Sequence, residues 1–194
     1  MDIRTREAVR YLGYGGHAID ERTLQLVQDS FKELNEYVDA RFIYRIFEIS
    51  KADDNGLIIG DLHIKSKDLA KNLKGCKQAV FLGTTLGARV DILMKKHSVS
   101  DMARATVIQA CAAAELEEYC DKIEKQILSE YGSKVYLRPR FSPGYGDFSI
   151  FHQKDLLNIL DAPKKIGLTM TDAYMLTPTK SVTAVIGLNE EERC

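Results

Sequence analysis

The stretch Ala110-Cys111-Ala112-Ala113-Ala114 constrains the fold most, because its small side chains lie in the middle of a long helical pattern. The pattern opens at Asp101 and continues to about Ser129, and its charged second half, which includes Glu124, predicts a solvated face. Small side chains let another backbone approach closely, so we expect this helix to run through the centre of the fold. Cys111 and Cys120 are interpreted as free thiols in apolar packing rather than as disulfide partners.

Helices and strands alternate irregularly on both sides of this helix. Asp20 is placed as the N-cap of an amphipathic helix, and Ser66 as the N-cap of a later one. Runs rich in β-branched, aromatic and other apolar residues predict strands at 42–49, 57–59, 79–82, 174–176 and 182–186. Because hairpin-type connections occur at both ends of the chain, we predict an α+β fold. It would have a mostly antiparallel or mixed twisted sheet, packed by several helices including the long central one.

Composition and charge limit the class of protein. The chain has 194 residues, of which 45% are hydrophobic and 28% charged, so we expect one globular domain over residues 1–194. The formal net charge of −1 lacks the basic excess that is typical of nucleic-acid-binding proteins. No apolar run is long enough for a transmembrane helix, and the charged N-terminus lacks the apolar region of a signal peptide. We therefore expect a cytoplasmic protein that binds neither nucleic acid nor membrane.

Cysteine and histidine positions give no metal-ligand spacing. The cysteines form no C-x-x-C pair, and the histidines lie far apart, at positions 17, 63, 97 and 152. The sequence therefore predicts no metal site, although a site assembled from distant positions is left open.

The first candidate site is Gly83-Thr84-Thr85-Leu86-Gly87, which lies between a predicted buried strand and a helix. Such a junction can present backbone N–H groups and the positive end of a helix dipole to an anion. The pattern is neither the G-x-G-x-x-G dinucleotide motif nor a phosphate loop, and a tight turn with a threonine cap explains it equally well. A small-molecule enzyme that binds a phosphate at this junction is one functional alternative.

The second candidate site is Arg140-Phe141-Ser142-Pro143-Gly144-Tyr145-Gly146-Asp147. The Arg140 guanidinium is suited to a carboxylate, Pro143 stiffens the chain, and Gly144 lets a ligand come close. Backbone groups of Ser142 and Tyr145 lie on a non-repetitive segment where they can bind a ligand, and Tyr145 adds an aromatic face. The alternative is a rigid turn whose arginine makes an internal salt bridge.

The pattern Arg-x-x-x-Gly-Tyr, from Arg140 to Tyr145, resembles the S-adenosylmethionine-binding signature of the activation domain of cobalamin-dependent methionine synthase. The helix that follows, the run Gly167-Leu168-Thr169 and the later run from Leu176 to Val182 are also similar to that family. The resemblance extends over about 106–187, and the first half of the chain is similar to small stand-alone members. It implies the activation-domain fold.

The resemblance implies a reactivation module for methionine biosynthesis. The module would support reductive methylation of cob(II)alamin on a separate methionine synthase that lacks its own activation domain and carries the cobalamin (vitamin B12). A flavodoxin-like protein would supply the electron, so we expect no catalytic residue and no turnover by this chain alone. The S-adenosylmethionine-binding residues that the resemblance implies are Arg140, Ser142, Pro143, Gly144 and Tyr145, with Lys180 and Ser181 in a turn facing the signature.

One departure from the family leaves a second function open. In the family, an aromatic-rich segment after the Ser-Val strand contributes to the ligand site, whereas residues 188–194 contain no aromatic side chain. The alternative is therefore a non-enzymatic docking partner of a corrinoid protein, which keeps the signature for its fold and no longer binds S-adenosylmethionine.

Overall fold

The computed structural model describes residues 1–14, 19–53, 56–131 and 135–190. This part of the chain contains the α-helices α1 (Ile3–Tyr11), α2 (Glu21–Tyr37), α3 (Lys67–Asn72), α4 (Ala88–Ser100), α5 (Met102–Tyr131), α6 (His152–Leu160) and α7 (Ala162–Ile166). Its strands are β1 (Arg41–Asp53), β2 (Gly56–Ile59), β3 (Leu62–Ile64), β4 (Gln78–Thr85), β5 (Val135–Leu137), β6 (Thr169–Met170), β7 (Leu176–Thr177) and β8 (Ser181–Glu190).

The chain divides into two compact units. The first unit comprises Met1–Arg41, Thr85–Lys122 and Pro178–Ser181. The second unit comprises Phe42–Thr84, Ile123–Thr177 and Val182–Cys194. A single domain over residues 1–194 stays a prediction.

The first unit is mainly helical, and aspartate side chains cap two of its helices. The Asp2 carboxylate accepts a hydrogen bond from the Thr5 N–H at 2.7 Å, and the Asp20 carboxylate accepts one from the Thr23 N–H at 2.9 Å. The predicted cap at Asp20 is therefore confirmed. Helix α2 then buries one apolar stripe, in agreement with its periodicity: Val27, Phe31 and Leu34.

Helix α5 begins after Asp101, whose carboxylate accepts a hydrogen bond from the Arg104 N–H at 3.0 Å. The small residues in its middle are buried or half-buried, and Ala112 is 0% exposed. Cys111 and Cys120 are buried and form no disulfide, as predicted. The long helix expected from the sequence is thus confirmed, and its small-residue stretch faces the interior.

The second unit holds a six-stranded antiparallel sheet with the strand order β3-β2-β1-β4-β8-β5. Ile49 of β1 lies opposite Ile59 of β2, which confirms the predicted hairpin, although residues 54–55 of its turn lie outside the described residues. Strands β6 and β7 form a separate pair. The predicted α+β class is confirmed, and the short strands β3 and β6 were missed. The strand predicted at 174–176 was wrong for its first two residues, because Tyr174 has a φ of 61° and the strand begins at Leu176.

The core of the second unit lies along β4. The four residues predicted as a buried strand, 79–82, are each 0% exposed. The Phe81 ring lies 5.0 Å from the Phe47 ring, centroid to centroid, and Phe148 is 1% exposed. Burial of such a side chain contributes about 2–3 kcal/mol. Phe148 directly follows the second candidate site, so this core fixes one end of the site.

Candidate functional site

The signature loop, residues 140–147, follows β5 and precedes α6 in the second unit. Phe141 forms an antiparallel bridge with Val185 of β8, with N···O distances of 3.0 and 2.9 Å in the two directions. The first part of the loop is therefore fixed to the sheet by backbone hydrogen bonds.

The middle of the loop is a series of tight turns. The Tyr145 N–H donates to the Ser142 carbonyl at 3.2 Å, and the Phe148 N–H donates to the Tyr145 carbonyl at 2.9 Å. The Gly144 N–H donates to the Phe148 carbonyl at 2.7 Å. We expected backbone groups of Ser142 and Tyr145 to bind a ligand. In the structure, the carbonyl groups of both residues and the Tyr145 N–H make internal hydrogen bonds.

Gly144 and Tyr145 form the exposed part of these turns. Gly144 has a φ of 95°, and a Cβ there would lie 3.2 Å from Ile150 Cδ1, so the position suits glycine. Tyr145 is 68% exposed, whereas the preceding Pro143 is buried. The loop therefore presents a bare backbone and an aromatic ring to solvent from a rigid base.

Arg140 is paired with an acidic side chain of α5. Its Nη1 lies 2.6 Å from Glu124 Oε1, and the two side chains are 21% and 24% exposed. The internal salt bridge that the sequence left as the alternative is therefore formed in this structure. Glu124 lies on the charged half of α5, where the neighbouring Asp121, Lys122 and Lys125 are exposed. Any ligand carboxylate at this guanidinium has to compete with Glu124.

Asp147 fixes the end of the loop to the N-terminus of α3. Its carboxylate accepts hydrogen bonds from the Ser66 hydroxyl, from the Lys67 N–H at 2.8 Å and from the Asp68 N–H at 3.1 Å. The Asp68 carboxylate in turn accepts a hydrogen bond from the Asp147 N–H at 3.2 Å. The Ser66 hydroxyl and the Lys67 N–H hold the pKa of Asp147 below its usual value.

Lys180 and Ser181 belong to the first unit, whereas the signature loop belongs to the second. Lys180 Nζ donates to the Gln109 carbonyl at 3.1 Å, and burial lowers the pKa of Lys180. Ser181 Oγ donates to the Pro178 carbonyl at 2.6 Å and lies 2.8 Å from Thr85 Oγ1. Both side chains therefore have partners within their own unit, and their part in a ligand site stays a prediction.

The first candidate site differs from its prediction. Gly83, Thr84 and Thr85 continue β4 instead of leaving it, and the two threonines are 0% and 1% exposed. Only Leu86 and Gly87 separate the strand from α4, and Thr85 Oγ1 accepts the Gly87 N–H at 3.1 Å. A buried strand end has no exposed loop for a phosphate, so the geometry favours the interpretation as a tight turn.

The described residues also bear on the expectations about metals and membranes. Within residues 1–14, 19–53, 56–131 and 135–190, no group of three or more His, Cys, Asp or Glu residues is placed to hold a metal ion. His17 and Cys194 lie outside this range. None of the helices in the described part of the chain has the length and apolarity needed to span a membrane.

Comparison with known proteins gives a structural likeness. No family model matches the chain, and no curated protein matches it. Among solved structures, the chain is similar to the MetH reactivation domain in a crystal structure with bound AdoHcy. The TM-score is 0.64 at 13% sequence identity, and the likeness covers 98% of this chain and 77% of that chain. The activation-domain fold that the sequence resemblance implies is therefore confirmed.

Proposed function

We propose that this chain is an S-adenosylmethionine-binding reactivation module. It would support reductive methylation of cob(II)alamin on a separate cobalamin-dependent methionine synthase that lacks such a domain, with a flavodoxin-like protein as reductant. The observation that supports this best is the likeness, over 98% of the chain, to the MetH reactivation domain with bound AdoHcy. The Gly144-Tyr145 end of the Arg-x-x-x-Gly-Tyr pattern is exposed, which is compatible with this proposal.

The signature loop fits the chemistry of such a ligand. The guanidinium of Arg140 is chemically suited to the carboxylate of an amino acid, which would have to displace Glu124 from it. Gly144 has no side chain above its backbone, and the exposed ring of Tyr145 offers a flat face to an adenosyl group. Arg140 would therefore hold the methionine end of the ligand, and the turn from Ser142 to Tyr145 would hold the adenosyl end.

The role of the chain in this function is positioning. S-adenosylmethionine, when bound, supplies an electrophilic methyl group, and its transfer to a strong nucleophile needs no general base. Holding the ligand in a reactive orientation is therefore the main contribution that the loop can make to the rate.

Isothermal titration with S-adenosylmethionine tests the proposal. We expect saturable binding to the wild-type protein and no measurable binding to Arg140→Ala. Arg45→Ala is the matched control, because Arg45 is an exposed arginine whose Nη1 donates to the Ile159 carbonyl at 2.8 Å, outside the loop. Absence of heat from the wild-type protein, or equal affinity in Arg140→Ala, would contradict the proposal.

A second candidate function is favoured by two observations. The Arg140–Glu124 ion pair at 2.6 Å occupies the predicted carboxylate site, and the loop region exposes large apolar side chains. Tyr145, Ile150, Phe151 and Met175 are 68%, 39%, 64% and 64% exposed. Such a surface suits a docking partner of a corrinoid protein that no longer binds S-adenosylmethionine. Co-purification with a corrinoid protein, together with no heat on titration, would select this function over the first.

A further inference from the structure

We propose that Asp147 is a positioning residue for the signature loop, which it holds in its binding shape from the N-terminus of α3. The inference rests on the proposed function, because it concerns the same loop and the same ligand. Asp147 lies outside the Arg-x-x-x-Gly-Tyr pattern, and its partners are far away in the sequence. The Ser66–Asp147 contact joins residues that are 81 positions apart.

We call the contact between residues 66–68 and Asp147 the clasp. Asp147 accepts from the Ser66 hydroxyl and from the N–H groups of Lys67 and Asp68, while Asp68 accepts from the Asp147 N–H. Ser66 is 1% exposed, and its Oγ also accepts the Leu69 N–H at 3.0 Å. The first N–H groups of a helix have no partner within the helix, so a carboxylate that binds them is held firmly. The loop end is thereby tied to a buried point of the second unit.

The glycine before Asp147 shows how closely the two segments approach. Gly146 has a φ of 52°, and a Cβ at this position would overlap the Asp68 carboxylate. A side chain there would displace the Asp68 carboxylate and break its hydrogen bond from the Asp147 N–H. Gly146 is thus part of the same clasp, and it explains why a second glycine follows the signature.

The exposed turn lies between two anchors. The bridge from Phe141 to Val185 fixes its first end, and the clasp at Asp147 fixes its second end. Gly144 and Tyr145 lie between them, and their turn is closed by the hydrogen bonds to and from Phe148. Loss of one anchor leaves the turn held from one side only, which raises the entropic cost of ordering it around a ligand.

The experiment compares Asp147→Ala with Asp20→Ala in the full chain. Asp20 is a matched control, because its carboxylate accepts the Thr23 N–H at the start of α2 in the first unit, which does not contain the loop. The two readouts are the affinity for S-adenosylmethionine by titration and the amide hydrogen exchange of Gly144 and Phe148 by NMR. We expect Asp147→Ala to weaken binding about tenfold or more and to speed exchange at both amides, while Asp20→Ala changes neither.

Each result decides the proposal. Wild-type affinity in Asp147→Ala, or an equal loss in Asp20→Ala, would overturn it. If the wild-type protein binds no S-adenosylmethionine, the proposed function fails, and exchange alone decides whether Asp147 positions the loop. In that case, unchanged exchange in Asp147→Ala overturns the inference and faster exchange supports it. If Asp147→Ala does not fold, Asp147→Asn is judged by the same two readouts, because it keeps one acceptor oxygen and should show a smaller loss.

Discussion

Glu124 determines how readily Arg140 can bind a ligand. Their ion pair, at 2.6 Å, places a carboxylate of the chain where the carboxylate of the proposed ligand would bind. Arginine makes its strongest contacts with ionised carboxylates, so the two carboxylates compete for one guanidinium. The proposed site is therefore self-occupied, and ligand affinity includes the cost of displacing Glu124.

We predict that Glu124→Gln strengthens S-adenosylmethionine binding by about threefold to tenfold, the equivalent of ~1 kcal/mol for a partly exposed ion pair. Titration calorimetry measures this change. Glu118→Gln is the control, because Glu118 is a carboxylate of the same helix whose partners are Lys122, at 3.0 Å, and Arg4, at 3.8 Å. Weaker binding in Glu124→Gln would contradict competition and would mean that Glu124 orients the guanidinium for the ligand.

The chemical type of the site residues was accessible from the sequence, but their partners were not. Arg140, Gly144 and Tyr145 stand out because an arginine, a proline and glycines cluster on one irregular segment. The pairing of Arg140 with Glu124 depends on how the end of α5 packs, and the clasp at Asp147 joins segments 79 to 81 positions apart. Local patterns do not record such contacts, because the fold creates them.

Helix ends in this chain depend on the conformation of single glycines. Gly75 follows α3 with a φ of 84°, and Gly87 precedes α4 with a φ of 89°. Both positions therefore need a positive φ, and the ψ of 157° at Gly87 makes its conformation essentially specific to glycine. Their surroundings differ, because a Cβ on Gly75 meets nothing within 4 Å, whereas a Cβ on Gly87 would lie 2.9 Å from the Asp39 carbonyl oxygen.

The two glycines compare a position in open space with one that is crowded and has a conformation specific to glycine. We predict that Gly75→Ala lowers the free energy of unfolding by about 1–2 kcal/mol, from the left-handed conformation alone. Gly87→Ala should cost about 1–3 kcal/mol more, because a ψ of 157° at this positive φ is unfavourable for alanine and because the backbone of Asp39 has to move. Urea denaturation of both variants measures the difference. Equal losses of unfolding free energy would mean that the turn before α4 adjusts to a side chain and does not depend on the close approach to Asp39.

Sequence prediction of helices and strands succeeded where neighbouring residues determine the element, and it failed where distant residues do. The caps at Asp20 and Ser66 were predicted because a cap uses residues within one turn of the helix. Strands β3 and β6, with three and two residues, were too short to give a pattern. Strand β4 was ended too early at Gly83, because glycine resembles a breaker in sequence. In the structure, a Cβ at Gly83 would lie 3.3 Å from Leu160 Cδ1, so packing from a distant segment explains the glycine.

The fold as a whole is shared with the MetH reactivation domain at 13% sequence identity. At this identity most side chains differ between the two chains, so the fold tolerates extensive substitution. The signature loop is a part of the chain where residue types, and not only their polarity, resemble the family. Function is therefore expected to depend on few positions, and stability on many.

The capping carboxylates make the stability of the fold depend on pH. Hydrogen bonds from Thr5 to Asp2 and from Thr23 to Asp20 lower the pKa of both carboxyl groups, and Ser66 and Lys67 do the same for Asp147. A carboxyl group whose pKa is lower in the folded state stabilises the fold above its unfolded pKa of 3.8 and loses this contribution as the pH falls through the folded value. We predict that the urea midpoint falls as the pH drops below about 4. Asp20→Asn should flatten this dependence, and an identical pH profile in the variant would contradict the role of the cap.

The central claim is that S-adenosylmethionine binds at the signature loop, and an NMR titration of ¹⁵N-labelled protein tests it most directly. We predict saturable shifts of the Gly144 and Tyr145 amide signals in the wild-type protein and none in Arg140→Ala. Saturable shifts confined to the amides of Gly83 and Gly87, or no shifts at all, would contradict the account.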